Sequence, residues 1–174
     1  MFHIIKIALP WENKPLVDVN FLTMNVKIKK ITAKQTYELR HPLLRKGQPL
    51  NTCHLSLDND SKTIHLGAYF ETELVGVLSA FNISCPGYKS KSGIQFRAMA
   101  VLPSYQGKGI ATQLIQKAFL SVRKTLTIHH VWLNARVVAK NLYLKNNFKP
   151  IGSVFKIDPI GLHQRFIKKM QNES

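Results

Sequence analysis

One stretch limits what this chain can become more than any other. Ile94-Gln95-Phe96-Arg97-Ala98-Met99-Ala100-Val101 has the apolar and aromatic content of a strand, and Pro103 ends it because proline brings no backbone donor to a ladder. Gln106-Gly107-Lys108-Gly109 follows as a tight loop. Ile110, Ala111, Leu114, Ile115, Ala118, Phe119 and Val122 then recur at the three-and-four spacing of a helix with one buried face. A strand, a glycine loop and an amphipathic helix in immediate succession point to helices packed on a sheet, an α/β (α+β) arrangement.

The rest of the chain repeats this alternation. Val26 and Ile28 give a short period of two, with Ile31 just beyond it, and Thr32 reads as the N-cap of a helix running to about Leu44. His41-Pro42 and Gly47-Gln48-Pro49 break this region, and a loop is expected after them. Ile64 to Phe70 and Leu74 to Phe81, separated by Glu71-Thr72-Glu73, read as two hairpin strands, with Gly76 marking a bulge. Cys85-Pro86-Gly87 turns the chain. Val131 to Leu133 reads as a strand, Val137 to about Asn146 as a helix, and Phe155 to Ile157 and Arg165 to Ile167 as the last two strands.

A chain of 174 residues suffices for one core and is short for two ordinary domains. Residues 1–24 carry Pro10, Trp11 and Pro15 in no clear period, so they read as an N-terminal extension of unknown structure, with one domain over 25–174. Lys6 splits the apolar opening and no small-residue cleavage site follows, so no targeting segment is read. No apolar run approaches the roughly 20 residues that cross a bilayer. Cys53 and Cys85 lack Cys-x-x-Cys spacing, which argues against a zinc site or a disulfide scaffold, and a reducing cytoplasm is the expected compartment. The net charge of +16 favours anionic partners: nucleic acid, anionic lipid or a phosphorylated cofactor. The basic residues are spread along the chain and are densest at Lys27 to Lys30 and Lys168-Lys169, both in strand patterns, which fits a solvated basic surface.

The chemistry concentrates at the glycine loop. Gly107 and Gly109 let backbone N–H groups approach an anion at the positive end of a helix, and Lys108 and Gln106 add donors for phosphate oxygens. By itself such a loop is compatible with a pyrophosphate site or with a tight structural turn. It is neither Gly-x-Gly-x-x-Gly nor a P-loop, which removes two common nucleotide binders.

The segment does resemble the acyl-CoA loop of the GCN5-related N-acetyltransferase (GNAT) superfamily: Gln or Arg, two residues, Gly, one residue, Gly or Ala. Gln106, Gly109 and Ala111 match it. Met99-Ala100-Val101-Leu102-Pro103 is similar to that family's fourth strand and its terminating proline. Asn134-Ala135-Arg136, Ala139, Asn141, Leu142, Tyr143 and Asn147-Phe148 resemble its later helix, with Asn147 standing where glycine is usual. Asn also accepts the left-handed conformation that ends helices. Leu39-Arg40, His65-Leu66-Gly67 and Gly161-Leu162-His163 look like an uncharacterised bacterial, ElaA-like subgroup. The resemblance spans about residues 25 to 170.

It implies a central mixed, largely antiparallel sheet flanked by helices. The implied activity is acetyl transfer from acetyl-CoA, as co-substrate, directly to an amine in a ternary complex. On these residues it implies that Met99, Ala100 and Val101 hold the pantetheine arm, the Met99 amide polarising the thioester carbonyl. Gln106, Gly107, Lys108, Gly109, Ile110, Ala111 and Thr112 would hold the pyrophosphate, with Asn134 and Asn141 as further coenzyme contacts. Tyr143 would protonate the leaving thiolate, whereas without the resemblance it reads as a core tyrosine with its hydroxyl satisfied. His54, Asp58, His65, Glu73 and His163 are all candidates for the base, which is left unassigned. Trp132, Phe81, Phe96 and Phe119 read as core.

Two other functions compete. Arg40, Asp58 and Asp60 echo the early arginine and acidic pair of autoinducer synthases, which share this fold and transfer longer acyl chains. The charge would also suit a basic RNA- or ribosome-associated protein on the same fold, although no aromatic Arg/Lys motif for base stacking is present. The acceptor, whether metabolite, peptide or lysine, stays open at this level.

Overall fold

A computed structural model of the chain describes residues 26–89, 92–125 and 127–170, so the expected extension over 1–24 lies outside the described residues. The elements run β1 (Lys27–Lys30), α1 (Ala33–Leu44), β2 (Ile64–Phe70), β3 (Glu73–Phe81), β4 (Gly93–Val101), α2 (Ile110–Thr125), β5 (His130–Arg136), α3 (Lys140–Lys145), β6 (Lys149–Ile157) and β7 (Gly161–Lys169). One seven-stranded sheet has the order β1-β2-β3-β4-β5-β7-β6. Every neighbouring pair is antiparallel except β4 and β5, which are parallel and joined through α2.

Local signals set the helix ends. Thr32 caps α1 by accepting from Gln35 N, and Gln35 Oε1 accepts from Thr32 N at 2.9 Å, a reciprocal box that satisfies two donors at the helix start. At the end of α3, Phe148 N donates to Tyr143 O at 3.0 Å and Asn147 N to Leu144 O at 3.0 Å, with Asn147 at φ 63°. This is the paired Schellman arrangement, and Asn fills its left-handed position as expected.

α2 covers one face of β2, β3 and β4, and α1 covers the other face of β3 and β4. The α2 face is apolar: Leu66, Ala68, Val75, Leu78, Ile94 and Phe96 meet Ile110, Leu114, Ile115, Ala118 and Val122. Phe148, Phe166 and Tyr143 extend this core beneath α3. Trp132, Phe81 and Phe96 are buried as read from the sequence, and half-buried Phe119 packs against the main core. The α1 face has a smaller apolar cluster of Leu39, Leu74, Val77 and Ala100, beside which polar side chains are buried.

Several boundaries differ from expectation. α1 ends at Leu44 as expected, but Pro42 lies inside it instead of breaking it; near the helix end, the missing donor costs a single hydrogen bond. The β3 bulge falls at Val75, next to Gly76, where Ala68 faces Gly76 and Tyr69 faces Leu74. β5 runs on to Arg136, because β7 pairs with it from His130 through Arg136, so Asn134 and Ala135 are strand residues. β6 and β7 are both longer than their apolar cores, since their mutual pairing carries polar residues into the ladder.

Candidate active site

The site is built where β4 and β5 part. The two parallel strands pair only at Gly93 with His130, Ile94 with Val131 and Gln95 with Trp132. Beyond that point β4 bends: Ala98 sits at φ 49°, and the register against β3 shifts between Val77 and Ser79. A cavity of about 630 Å³ opens between Phe96–Val101 on one side and Leu133–Arg136 on the other. Leu102 N donates to Val75 O at 2.9 Å, so antiparallel alternation turns Ala100 toward β3 and leaves the N–H and C=O of Met99 and Val101 facing the split. Val101 O accepts from Gln106 Nε2 there at 3.0 Å.

The glycine loop lies at the start of α2. Gly107 and Gly109 both have φ 76°, a conformation that side chains rarely adopt. The first backbone bond of the helix is donated by Gln113 N to Gly109 O, so the N–H groups from Gly107 to Thr112 precede the helical ladder. Ile110 is buried and anchors the helix; Lys108 Nζ lies 5.2 Å from the centre of the Tyr105 ring. Thr112 Oγ1 accepts from Asn146 Nδ2 at 3.3 Å.

Of the residues singled out in the sequence, Met99, Ala100, Val101, Gln106, Asn134 and Tyr143 line the cavity. Asn134 Oδ1 also accepts from Arg165 Nε at 3.4 Å. Asn141 is exposed on α3 and does not line it. The Tyr143 ring stands edge-on to Phe148 at 5.9 Å and lies 5.7 Å from Phe166, while its hydroxyl has no hydrogen bond among the described residues. Burial pushes the Tyr143 phenol up to about 12.

The candidate bases separate sharply. Asp58 is fully buried and grips Arg40, whose Nη1 donates to both carboxylate oxygens at 3.0 and 2.7 Å. Arg40 Nη1 also reaches Cys53 O, and Nη2 donates to Ser79 Oγ at 2.7 Å. His65 donates from Nε2 to Asp58 O and accepts at Nδ1 from Ser79 Oγ, so both ring nitrogens are used. Burial, foremost, holds its pKa below the ordinary imidazole value. Glu73 accepts from the Tyr105 hydroxyl, and His54 meets Tyr37 at the surface; neither lines the cavity. His163 does line it, and its Nδ1 donates to Gly161 O at 2.8 Å, which leaves Nε2 with a lone pair. The Arg40–Asp58 pair that echoed autoinducer synthases is therefore an internal brace, and Asp60 is exposed with Oδ1 accepting from Lys62 N.

The arrangement has known counterparts. Residues 61–150 match the family model described as Acetyltransferase (GNAT) domain. The uncharacterized N-acetyltransferase YitI of Bacillus subtilis (strain 168) is 31% identical over 138 residues, covering 79% of this chain and 92% of YitI. Among solved structures, Escherichia coli ElaA has a TM-score of 0.60 at 15% identity, covering 83% of this chain and 99% of its own. Arabidopsis thaliana NAA60, solved in complex with acetyl-CoA, has a TM-score of 0.64 at 14% identity, covering 84% and 99%. The chain belongs to the GNAT acetyltransferase family. It is an N-acetyltransferase, with the acetyl-CoA co-substrate that membership in this family carries. Among the described residues no helix is long and apolar enough to cross a membrane.

Proposed function

We propose that residues 25–174 bind acetyl-CoA across the split sheet and pass its acetyl group directly to an amine held in the same cavity. The observation that carries this reading is the parting of β4 from β5, which exposes the Met99 and Val101 backbone beside the unbonded Tyr143 hydroxyl. In this reading the pantetheine arm takes the place of β5 along β4, and the Met99 N–H polarises the thioester carbonyl as negative charge develops on its oxygen. The N–H groups from Gly107 to Thr112, with Lys108, hold the pyrophosphate at the positive end of α2. Asn141 is left without a role.

His163 Nε2 takes the proton from the attacking amine. It is the one candidate base that combines a place in the cavity wall with an unoccupied ring nitrogen. As the nitrogen–carbonyl bond forms and the carbon–sulfur bond breaks, Tyr143 donates to the sulfur. Its raised pKa keeps the phenol protonated but weakens it as an acid, so hydrogen-bond donation to the forming thiolate is the larger part of its contribution. Residues 1–24 stand outside this machinery, and removing Met1 to Thr23 leaves the cooperative melt intact; a lost melt would make the segment part of the core.

The test is ligand-induced stabilisation. Acetyl-CoA at about 100 times its dissociation constant should add about 2.7 kcal/mol to the stability of the full chain. Gly109→Asp should remove that gain by placing a carboxylate where the pyrophosphate sits. A folded Gly109→Asp protein with an unchanged gain would show that the loop does not bind the phosphates.

A further inference from the structure

Among the described residues, four arginines line the active-site cavity, and no aspartate or glutamate lines it with them. Their states differ. Arg40 is neutralised by Asp58 and is buried. Arg45 donates from Nε to Thr52 O at 3.2 Å and from Nη1 to Leu44 O at 3.0 Å, bonds that orient its guanidinium without cancelling its charge. Arg97, opposite Ser79 in the β3–β4 ladder, projects on the α1 face; its guanidinium lies 6.0 Å from the centre of the Phe81 ring and has no hydrogen bond or ion pair among the described residues. Arg136, on the β5 wall beside His163, has none either.

Arg97 and Arg136 are exposed to solvent, and a guanidinium does not shed its proton at working pH, so both remain charged and open to an anionic ligand. The carboxylate that acts on Arg97, Asp58, is already committed to Arg40. Although Arg97 is exposed, partial desolvation lowers its pKa first, and the Arg45 and Arg40 charges lower it further, with Asp58 opposing. Coenzyme phosphates do not account for this group, because α2 and its anion-binding start pack on the opposite face of β4.

We propose that the acceptor is a small amine that also bears an oxyanion, a carboxylate or a phosphate, which docks on Arg97 and Arg45 while its nitrogen lies toward His163. The inference rests on the acetyltransferase reading of the same cavity. About 630 Å³, shared with the pantetheine arm, suits a small molecule, and the net charge of +16 disfavours a polycationic one.

The test uses the full chain at saturating acetyl-CoA and follows thiol release. The probes are amino carboxylates and aminoalkyl phosphates, each beside its neutral amide, ester or alcohol counterpart, together with polyamines. The anionic member of each pair should win by about tenfold to hundredfold in kcat/KM, the range of charged hydrogen bonds. Whether carboxylates or phosphates lead identifies the oxyanion. Arg97→Gln should erase the preference by raising the acceptor KM, with kcat and acetyl-CoA stabilisation kept. Normal acetyl-CoA stabilisation with no preference for anionic amines, or a preference that survives in Arg97→Gln, overturns this proposal alone. Absent acetyl-CoA stabilisation in the wild type overturns the parent reading and this one with it.

Discussion

On the face of β4 turned to α2, Phe96 and Met99 belong to the main apolar core, whereas on the face turned to α1, Arg97 shares a wall with Arg40 and Arg45. The first face supplies folding energy through buried apolar area and holds the split strand rigid. The second face works against compactness, since it gathers three guanidinium groups around a single carboxylate. Charges kept against the local rule mark a site whose purpose lies outside stability. Within that second face Arg40 and Arg97 differ again: the brace belongs to the fold and the unpaired group to the ligand.

The sharpest way to break this comparison is to remove the brace. Arg40→Ala strands Asp58 in the interior without its partner, so unfolding stability should fall by about 3–5 kcal/mol in a denaturant titration. A loss under about 1 kcal/mol, the scale of an exposed ion pair, would mean that the pair is effectively solvated and that Arg40 belongs with Arg97.

Tyr143→Phe comes next and addresses the apolar side. The ring keeps its packing against Phe148 and Phe166, and kcat should fall by about a hundredfold, the low end for proton donation, with coenzyme affinity held. Wild-type turnover when chemistry limits the rate would take Tyr143 out of the mechanism. The same variant has a pH signature. The phenol of the folded protein is pushed from 10.0 up to about 12, so the fold retains this proton better than the unfolded chain does. The resulting stabilisation is present below pH 10 and is lost as pH rises from about 10 to about 12; at about 1.4 kcal/mol per pKa unit it amounts to about 2–3 kcal/mol. The wild type should lose that much relative to Tyr143→Phe in melts compared across this window.

The smallest effect is the most discriminating. Arg97→Gln should change stability by no more than about 0.5 kcal/mol, because it removes no hydrogen bond or ion pair and eases the repulsion from Arg45 and Arg40. A large loss on denaturation would make Arg97 a structural residue and leave the two arginines indistinguishable.

Much of the architecture was written locally. The β-branched and aromatic content of β2 and β3, the three-and-four spacing of α2, the Thr32 cap and the Asn147 stop are each determined within a few residues, because rotamers, backbone sterics and capping bonds act at that range. The position of Tyr143 on α3 was legible for the same reason. What short range could not encode was decided by pairing across the chain. β7 inserts between β5 and β6 and draws β5 out to Arg136, while the bend at Ala98 turns β4 away, so the split that makes the cavity depends on register between distant strands. The same holds for charge. Arg40, Arg45, Arg97 and Arg136 look alike in the sequence; only the fold brings Asp58 to the first and leaves the others facing the cavity, because a charge is neutralised by proximity in space, which sequence separation does not measure.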